Sequence, residues 1–172
     1  MSSEQTSGVD GADKAVARPT VGVDFGGTKA LMVACWPNGT VDVERASTGF
    51  GSHLHDLEML VDSFVARLPV APRAIGLAVP GLVDTGKVVT SDVLPCLDGW
   101  EPALRWGGAR PVVVENDVRA ALAHVSDDND LGTTALIMTG TGIAVAVRTN
   151  GVVIAGSNGW AGEAFRSGRR GP

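Results

Sequence analysis

The hydrophobic and polar positions from Thr20 onward form short apolar or alternating runs, a pattern that predicts β-strands. The runs predicted as strands are TVGVDF, KALMVACW, VDVERAS, AIGLAVPGLVD, the short run in TGKVVTSD, PVVVEND, TTALIM and the hairpin IAVAVRTNGVVIAG. Asn38-Gly39 and Asn150-Gly151 can supply the positive φ that tight hairpin turns demand. The first three runs are therefore predicted to form an antiparallel meander.

The segment SHLHDLEMLVDSFVARLP carries apolar residues at three- and four-residue spacing, which predicts an amphipathic helix. Ser52 is its predicted N-cap, and Pro69 its predicted end. A short helix is predicted from Pro102, and another over VRAALAHV. The order β-β-β-α-β-(α)-β-α, followed by new strands, indicates an α/β fold. The polar stretch SDDND, residues 126–130, is a candidate domain boundary, and residues 1–18 are too polar and glycine-rich to pack.

The composition excludes several classes of function. The 14 basic residues are outnumbered by 19 acidic ones, giving a net charge of -5, which argues against sequence-independent nucleic-acid binding. No apolar run approaches the roughly 20 residues that span a membrane, and the N-terminus lacks a secretory apolar core. Cys35 and Cys96 lack zinc-ligand spacing, so no zinc site is expected. Two free thiols fit a reducing cytoplasm, where we expect the protein.

The first candidate site follows the first strand, in the sequence Asp24-Phe25-Gly26-Gly27-Thr28-Lys29. Paired glycines let the backbone approach a ligand closely, and successive N–H groups form an anion-binding concavity. Thr28 adds a hydroxyl and Lys29 a positive charge. Asp24 would repel a phosphate directly, so its place here makes sense if Mg²⁺, through bridging water, lies between them. The alternative is a plain hairpin in which the aspartate is a turn residue.

A second candidate turn, Gly140-Thr141-Gly142, follows a later strand. It is not a dinucleotide fingerprint, because a third glycine and a following helix are missing. The chain also lacks the glycine-lysine pattern of P-loop nucleotide-binding proteins. A second phosphate-binding strand turn remains the interpretation.

Polar residues that suit sugar chemistry follow two further runs. Asp117, in Glu115-Asn116-Asp117, could accept the proton of a substrate hydroxyl during phosphoryl transfer. The alternative is that Asn116 or Asp117 only caps the next helix. The loop GSNGWAGE offers an amide, an aromatic ring and the Glu163 carboxylate for sugar hydroxyls. Asp98 and Trp100 of DGWEP could line the same cleft, or the tryptophans could simply be packed.

Five motifs, VDFGGTK, GLAVPGLVD, PVVVENDVRAAL, TGTGI and NGWAGE, stand in an order and spacing that resembles the ROK family of bacterial sugar kinases and repressors. The resemblance covers about residues 20–163 and implies an actin-like, ribonuclease-H-like ATPase fold. Residues 19–130 would be its N-terminal lobe and 131–172 the start of the second. The roles it implies are phosphate and Mg²⁺ binding for Asp24, Gly26, Gly27, Thr28, Gly140, Thr141 and Gly142, general base for Asp117, and sugar binding for Asn116 and Glu163.

The chain also departs from the family. The histidine that usually follows the last motif is replaced in Glu163-Ala164-Phe165-Arg166, and the cysteine-rich zinc motif and most of the second lobe are absent. We hypothesise that residues 164–172 are a frameshift or truncation product, which the downstream genomic DNA would decide. The strands from TTALIM to VVIAG would then expose edges and an apolar face, so a homo-oligomer or a covering partner is expected.

The sequence therefore predicts an ATP-dependent hexose kinase of the glucokinase type, incomplete as this chain, that uses ATP and Mg²⁺. One alternative is a non-enzymatic sugar sensor of the repressor branch without its DNA-binding domain. Another is an inactive remnant. The motifs do not distinguish one sugar from another.

Overall fold

The structure, a computed structural model, describes residues 17–125, 132–139 and 143–156. Its elements, in chain order, are β1 Thr20–Phe25, β2 Lys29–Cys35, β3 Val41–Ser47, α1 Leu54–Ala66, β4 Ala74–Val79, β5 Leu82–Asp84, β6 Lys87–Thr90, the 3-10 helix Pro95–Leu97, α2 Pro102–Trp106, β7 Val112–Asn116, α3 Asp117–Val125, β8 Thr133–Thr139, β9 Ile143–Thr149 and β10 Val152–Val153. The predicted break at 126–130 lies outside the described residues. Of the predicted tail, residues 17 and 18 are described, and Arg18 Nε donates to the Ala71 carbonyl at 2.8 Å.

The main sheet has five strands in the order β3-β2-β1-β4-β7. β1, β2 and β3 pair antiparallel, which confirms the predicted meander, and Gly39 has a φ of +85° in the turn that joins β2 to β3. β4 and β7 join β1 in parallel. Because parallel strands end at the same edge of a sheet, the chain leaves β1, β4 and β7 at one edge.

Apolar side chains at alternate strand positions form the core beneath the sheet. β1 contributes Val21, Val23 and Phe25, which are all at most 3% exposed, and α1 packs its buried residues against the sheet. Trp100 belongs to this core, because its ring lies 6.1 Å from that of Phe25, edge to face. Its indole Nε1 donates to Glu58 Oε1 at 3.1 Å. Of the two alternatives considered for Trp100, the packed one holds, since packing against Phe25 buries the ring.

A second sheet, with the order β10-β9-β8, follows α3. Val118 and Leu122 of α3 pack against Ala146 of β9, so the helix covers one face of this sheet. The predicted hairpin turn is confirmed, since Asn150 and Gly151 both have positive φ. Apolar side chains stay exposed elsewhere in the described part of this sheet, among them Ile137 at 63%, Ile143 at 42% and Val152 at 66%. The homo-oligomer or partner expected from this exposure stays a prediction.

Two local predictions are wrong. The run AIGLAVPGLVD does not form one strand, because β4 ends before Pro80, and β5 then pairs with β6 in a separate two-stranded sheet. Proline has no N–H to donate to a sheet. Ser52 is not the N-cap of α1, because His53 takes that position with extended backbone angles. The Ser52 hydroxyl instead accepts a hydrogen bond from the Gly49 N–H at 2.9 Å.

We expect Leu57→Ala to destabilise the protein strongly, because Leu57 of α1 is 1% exposed and its loss leaves a cavity against the sheet. Truncation of a buried leucine typically lowers the free energy of unfolding by about 2–5 kcal/mol. The matched control is Leu104→Ala in α2, where the side chain is 84% exposed. Urea unfolding of both variants checks this, and equal losses would show that α1 does not cover the core.

Candidate active site

The carboxyl-terminal edge of β1, β4 and β7 brings most of the described candidate residues together. Asp24 lies opposite Ala78 of β4, and Asn116 lies opposite Val79 of the same strand. β1 and β7 are therefore separated by one intervening strand, or about 10 Å at the usual strand spacing. The glycine turn after β1 and the Asn116-Asp117 corner after β7 therefore lie at the same edge of the sheet, on either side of the end of β4.

The turn after β1 is shaped by close backbone approach. The Gly26 N–H donates to the Lys29 carbonyl at 2.8 Å, which closes the β1–β2 hairpin. A Cβ on Gly26 would lie 3.1 Å from that carbonyl, and one on Gly27 would lie 2.8 Å from Val93 Cγ1. Among the described residues, the N–H groups of Gly27 and Thr28 have no backbone acceptor. These donors are what the predicted anion-binding turn requires.

Asp24 occupies an electrostatically unfavourable position on β1. Asp24 is exposed, yet nearby protein atoms partly desolvate its carboxylate and raise its pKa, while the Lys29 ammonium acts in the opposite direction. A carboxylate that is partly desolvated and only partly compensated is a suitable partner for a cation. In the described residues, however, no group of three or more histidine, cysteine or acidic side chains forms a metal centre. An ion here would need further ligands from water or substrate.

Asn116 ends β7 and is held on three sides. Its Oδ1 accepts hydrogen bonds from the N–H groups of Val118 at 3.1 Å and Arg119 at 3.2 Å. The capping geometry considered as an alternative is therefore present. Its Nδ2 donates to the Gly81 carbonyl at 3.0 Å, and the residue is 8% exposed. A carboxamide has two N–H donors, of which this last bond uses one.

Asp117 is the first residue of α3 and is half-buried. Its Oδ1 accepts a hydrogen bond from the Val118 N–H at 2.8 Å. The positive end of the helix macrodipole favours a negative charge at this position. Beside it, Glu115 Oε1 lies 3.5 Å from the guanidinium of Arg119, which is only 8% exposed. The sequence reasoning missed this pair, because Glu115 lies in β7 and Arg119 in α3, so the four-residue spacing of a helix does not apply to them.

A second group that the sequence reasoning missed surrounds Pro80-Gly81. Ser91, 2% exposed, donates its hydroxyl to the Pro80 carbonyl and accepts the Leu94 N–H at 3.0 Å. Its own N–H donates to Asp98 Oδ1 at 2.7 Å. The structure thus gives Asp98, predicted beside the sugar, a hydrogen bond to the backbone of the Ser91 loop. All three contacts join residues within eleven positions of each other along the chain, but the polar residues of this loop were not read as a cluster.

Comparison with known proteins identifies the family. The ROK family matches residues 20–164. The chain belongs to the ROK family. Its fold is accordingly the actin-like ATPase fold of ROK kinases, as expected from the motifs. A comparison with functionally curated proteins found no match.

Several solved structures resemble this ROK chain. A protein of Listeria monocytogenes, described as a candidate N-acetylmannosamine kinase, is 26% identical with a TM-score of 0.72, over 84% of this chain and 52% of its own. A ROK glucokinase from Streptomyces griseus, solved with glucose and AMPPNP, is 23% identical with a TM-score of 0.67, over 84% and 49%. A ROK transcriptional regulator, homologous to the E. coli MLC protein, is 20% identical with a TM-score of 0.65, over 91% and 43%. The chain thus spans about half the length of these relatives or less.

The ROK motifs divide between described and undescribed residues. Those that the structure places at the sheet edge are Asp24, Gly26, Gly27, Thr28, Lys29, Asn116 and Asp117. Those that lie outside the described residues are Gly140, Thr141, Gly142, Asn158, Trp160 and Glu163. Within the described residues no helix is long and apolar enough to cross a membrane.

We expect Gly81→Ala to destabilise the protein, because a Cβ at this position would lie 2.5 Å from the Thr90 carbonyl oxygen, a backbone atom. Overpacking of this kind typically costs about 1–3 kcal/mol. Gly76→Ala in β4 is the matched control, because its Cβ would meet nothing within 4 Å. Thermal unfolding of the two variants measures the difference, and equal midpoints would contradict the crowding at Gly81.

Asp24→Asn is expected to raise thermal stability at neutral pH. The folded protein raises the pKa of this carboxyl, so ionisation at higher pH costs folding free energy and protonation at lower pH relieves that cost. The gain from the amide should therefore shrink as the pH falls through the carboxyl's titration range. Thermal unfolding midpoints of the unaltered chain and of Asp24→Asn, measured between about pH 3 and pH 7, test this prediction. Lower stability of the variant at neutral pH would be contrary evidence.

Proposed function

We propose that this ROK chain carries one side of the active site of an ATP-dependent hexose kinase of the glucokinase type. The observation that carries the proposal is the shared sheet edge, where a turn with free N–H donors faces the Asn116-Asp117 corner across one strand. Phosphoryl transfer needs a phosphate-binding site and a proton acceptor on either side of the sugar hydroxyl. Two segments separated by one strand can supply them. The likeness to the Listeria kinase, at 26% identity, supports the same reaction class.

Asp117 is the proposed general base. Its carboxylate would accept the proton of the sugar hydroxyl while the hydroxyl oxygen forms its bond to the γ-phosphorus of ATP. The bond from that phosphorus to the bridging oxygen breaks, and ADP leaves. A positioned base of this kind is worth roughly 10²- to 10⁴-fold in rate. The remaining Nδ2 N–H of Asn116 is suited to a sugar hydroxyl, and Glu163 is the proposed second sugar ligand.

The turn after β1 is the proposed phosphate-binding site. The N–H groups of Gly27 and Thr28 would bind phosphate oxygens, and Lys29 would add positive charge. Asp24 fits a water-bridged contact to Mg²⁺, which usually keeps several waters and binds through one or two carboxylates and the substrate phosphates. When bound, Mg²⁺ would neutralise the charge that develops on the phosphates. The proposed second phosphate-binding turn consists of Gly140, Thr141 and Gly142.

The second candidate function is sugar sensing without catalysis, as in the repressor branch of the family. The regulator homologous to MLC shares this fold at a TM-score of 0.65 over 91% of the chain, so the fold alone does not favour the kinase. A sugar sensor needs the sugar-binding corner but does not need to bind the phosphates of ATP. Nucleotide dependence therefore separates the two functions. In either case we propose a cytoplasmic protein, because both cysteines are free thiols.

Asp117→Asn should lower the rate of a coupled assay with glucose, ATP and Mg²⁺ by at least 100-fold, because an amide cannot take the proton. Ligand-induced thermal stabilisation should be retained, since the side chain keeps its size. The matched control is Asp42→Asn on the outer strand β3, which should keep full activity. Undiminished turnover by Asp117→Asn would exclude Asp117 as the base.

The same thermal measurements on the unaltered chain distinguish the alternatives. Stabilisation by glucose and by MgATP supports the kinase. Stabilisation by sugar alone supports the sensor, and stabilisation by neither ligand supports the inactive remnant. Other hexoses and N-acetylmannosamine belong in the same series, because the motifs leave the sugar open.

A further inference from the structure

We propose that Thr48 is a positioning residue that aims the phosphate-binding donors of the turn after β1. The proposal rests on the function proposed above in one respect, namely that this turn binds the phosphates of ATP. Thr48 itself need touch no ligand. It follows β3 directly and is half-buried beside the turn.

Two hydrogen bonds join Thr48 to the turn. Its hydroxyl Oγ1 donates to the Gly26 carbonyl at 2.6 Å, and its backbone N–H donates to the Thr28 carbonyl at 3.1 Å. Both carbonyls belong to the three residues that link β1 to β2. One residue from a third strand therefore fixes two of the peptide groups in this turn.

Peptide planarity converts these contacts into a direction for the donors. In a trans peptide, the carbonyl of one residue and the N–H of the next point in opposite directions. No cis peptide occurs among the described residues. When the Gly26 carbonyl points at Thr48, the Gly27 N–H must therefore point away from Thr48.

The sheet order says what lies in that direction. Thr48 follows β3, the outermost strand on one side, whereas β4 and β7 lie on the other side of β1. Along the sheet, the side away from Thr48 is therefore the side on which β4, β7 and the Asn116-Asp117 corner lie. We infer that the Gly27 N–H is directed toward that side, where the reacting phosphate would lie.

The paired glycines make such a restraint necessary. Glycine adopts backbone conformations closed to other residues, so a Gly-Gly peptide can rotate easily when nothing holds its carbonyl. A Cβ built on Gly27 would lie 2.8 Å from Val93 Cγ1. Val93 is therefore close enough to limit movement of the Gly27 backbone on that side. The Thr48 hydroxyl is the polar restraint that selects one orientation.

Thr48→Val tests the proposal, because valine has nearly the same shape and lacks the hydroxyl. Thr48→Ser keeps the hydroxyl and is the rescue variant. Thr40→Val is the matched control, because the Thr40 hydroxyl makes a comparable hydrogen bond to Asn38 Oδ1 at 2.8 Å in the β2–β3 turn, at the opposite end of the sheet. MgATP and glucose affinities of the full chain are measured by calorimetry for each variant.

We expect Thr48→Val to weaken MgATP binding about fivefold to tenfold, the equivalent of one neutral hydrogen bond, and to leave glucose affinity unchanged. Thr48→Ser and Thr40→Val should stay within about twofold of the unaltered chain for both ligands. Unchanged MgATP affinity in Thr48→Val would overturn the proposal. An equal loss of both affinities would also overturn it, because that is the result of a merely structural role.

The amide resonance of Gly27 separates this proposal from the proposed function. In ¹⁵N-labelled chain without ligand, Thr48→Val should shift that resonance and speed its hydrogen exchange, while Thr48→Ser and Thr40→Val should not. If the unaltered chain binds no nucleotide, the proposed kinase function fails, and the Gly27 amide alone decides whether Thr48 orients the turn. An identical Gly27 amide resonance in the unaltered chain, Thr48→Val, Thr48→Ser and Thr40→Val would refute the proposal that Thr48 orients this N–H.

Discussion

The parallel pairing of β1, β4 and β7 is the constraint on which the candidate site depends. The register sets Asp24 opposite Ala78 and Val79 opposite Asn116, and the core maintains it by burying Val23 and Phe25. Because side chains alternate between the faces of a sheet, a slip of one residue in β1 would bury Asp24 and expose Phe25. The cost of such a slip protects the register. The apolar core therefore holds the glycine turn after β1 and the Asn116-Asp117 corner at their separation.

Capping and the proposed sugar binding at Asn116 are compatible, since the two roles would use different atoms. The Oδ1 atom receives the first free N–H groups of α3 and thereby fixes the helix start at Asp117. One Nδ2 N–H donates to the Gly81 carbonyl, and the proposed sugar contact would use the other. A residue that both ends a strand and begins a helix is held more rigidly than a loop residue. Such rigidity is what a proton acceptor beside it requires.

The sequence predicted the elements with strong local signals and missed those that depend on distant contacts. The meander and the Asn150-Gly151 turn were found because alternation and positive-φ residues are local properties. The run through Pro80 is apolar on both sides of its break, and the local signal of that break, Pro80-Gly81, was outweighed by this continuity. The packing of Trp100 was left open for a related reason, because Phe25, whose ring it packs against, is far away in sequence.

The described turns at this edge share one physical solution to the flexibility of glycine. Glycines allow the backbone to come close to neighbouring atoms, but they also leave peptide groups free to rotate. In each turn a side chain from another segment donates to a carbonyl, as Thr48 does to Gly26, Ser91 to Pro80 and Asn116 to Gly81. Each of these bonds fixes a peptide plane and so fixes the direction of the next N–H where one exists. Donors fixed before the ligand arrives need no reorganisation during the reaction, which is the condition for strong electrostatic stabilisation. Under the proposed function, the polar residues around the glycines would therefore contribute to catalysis even where they touch no substrate.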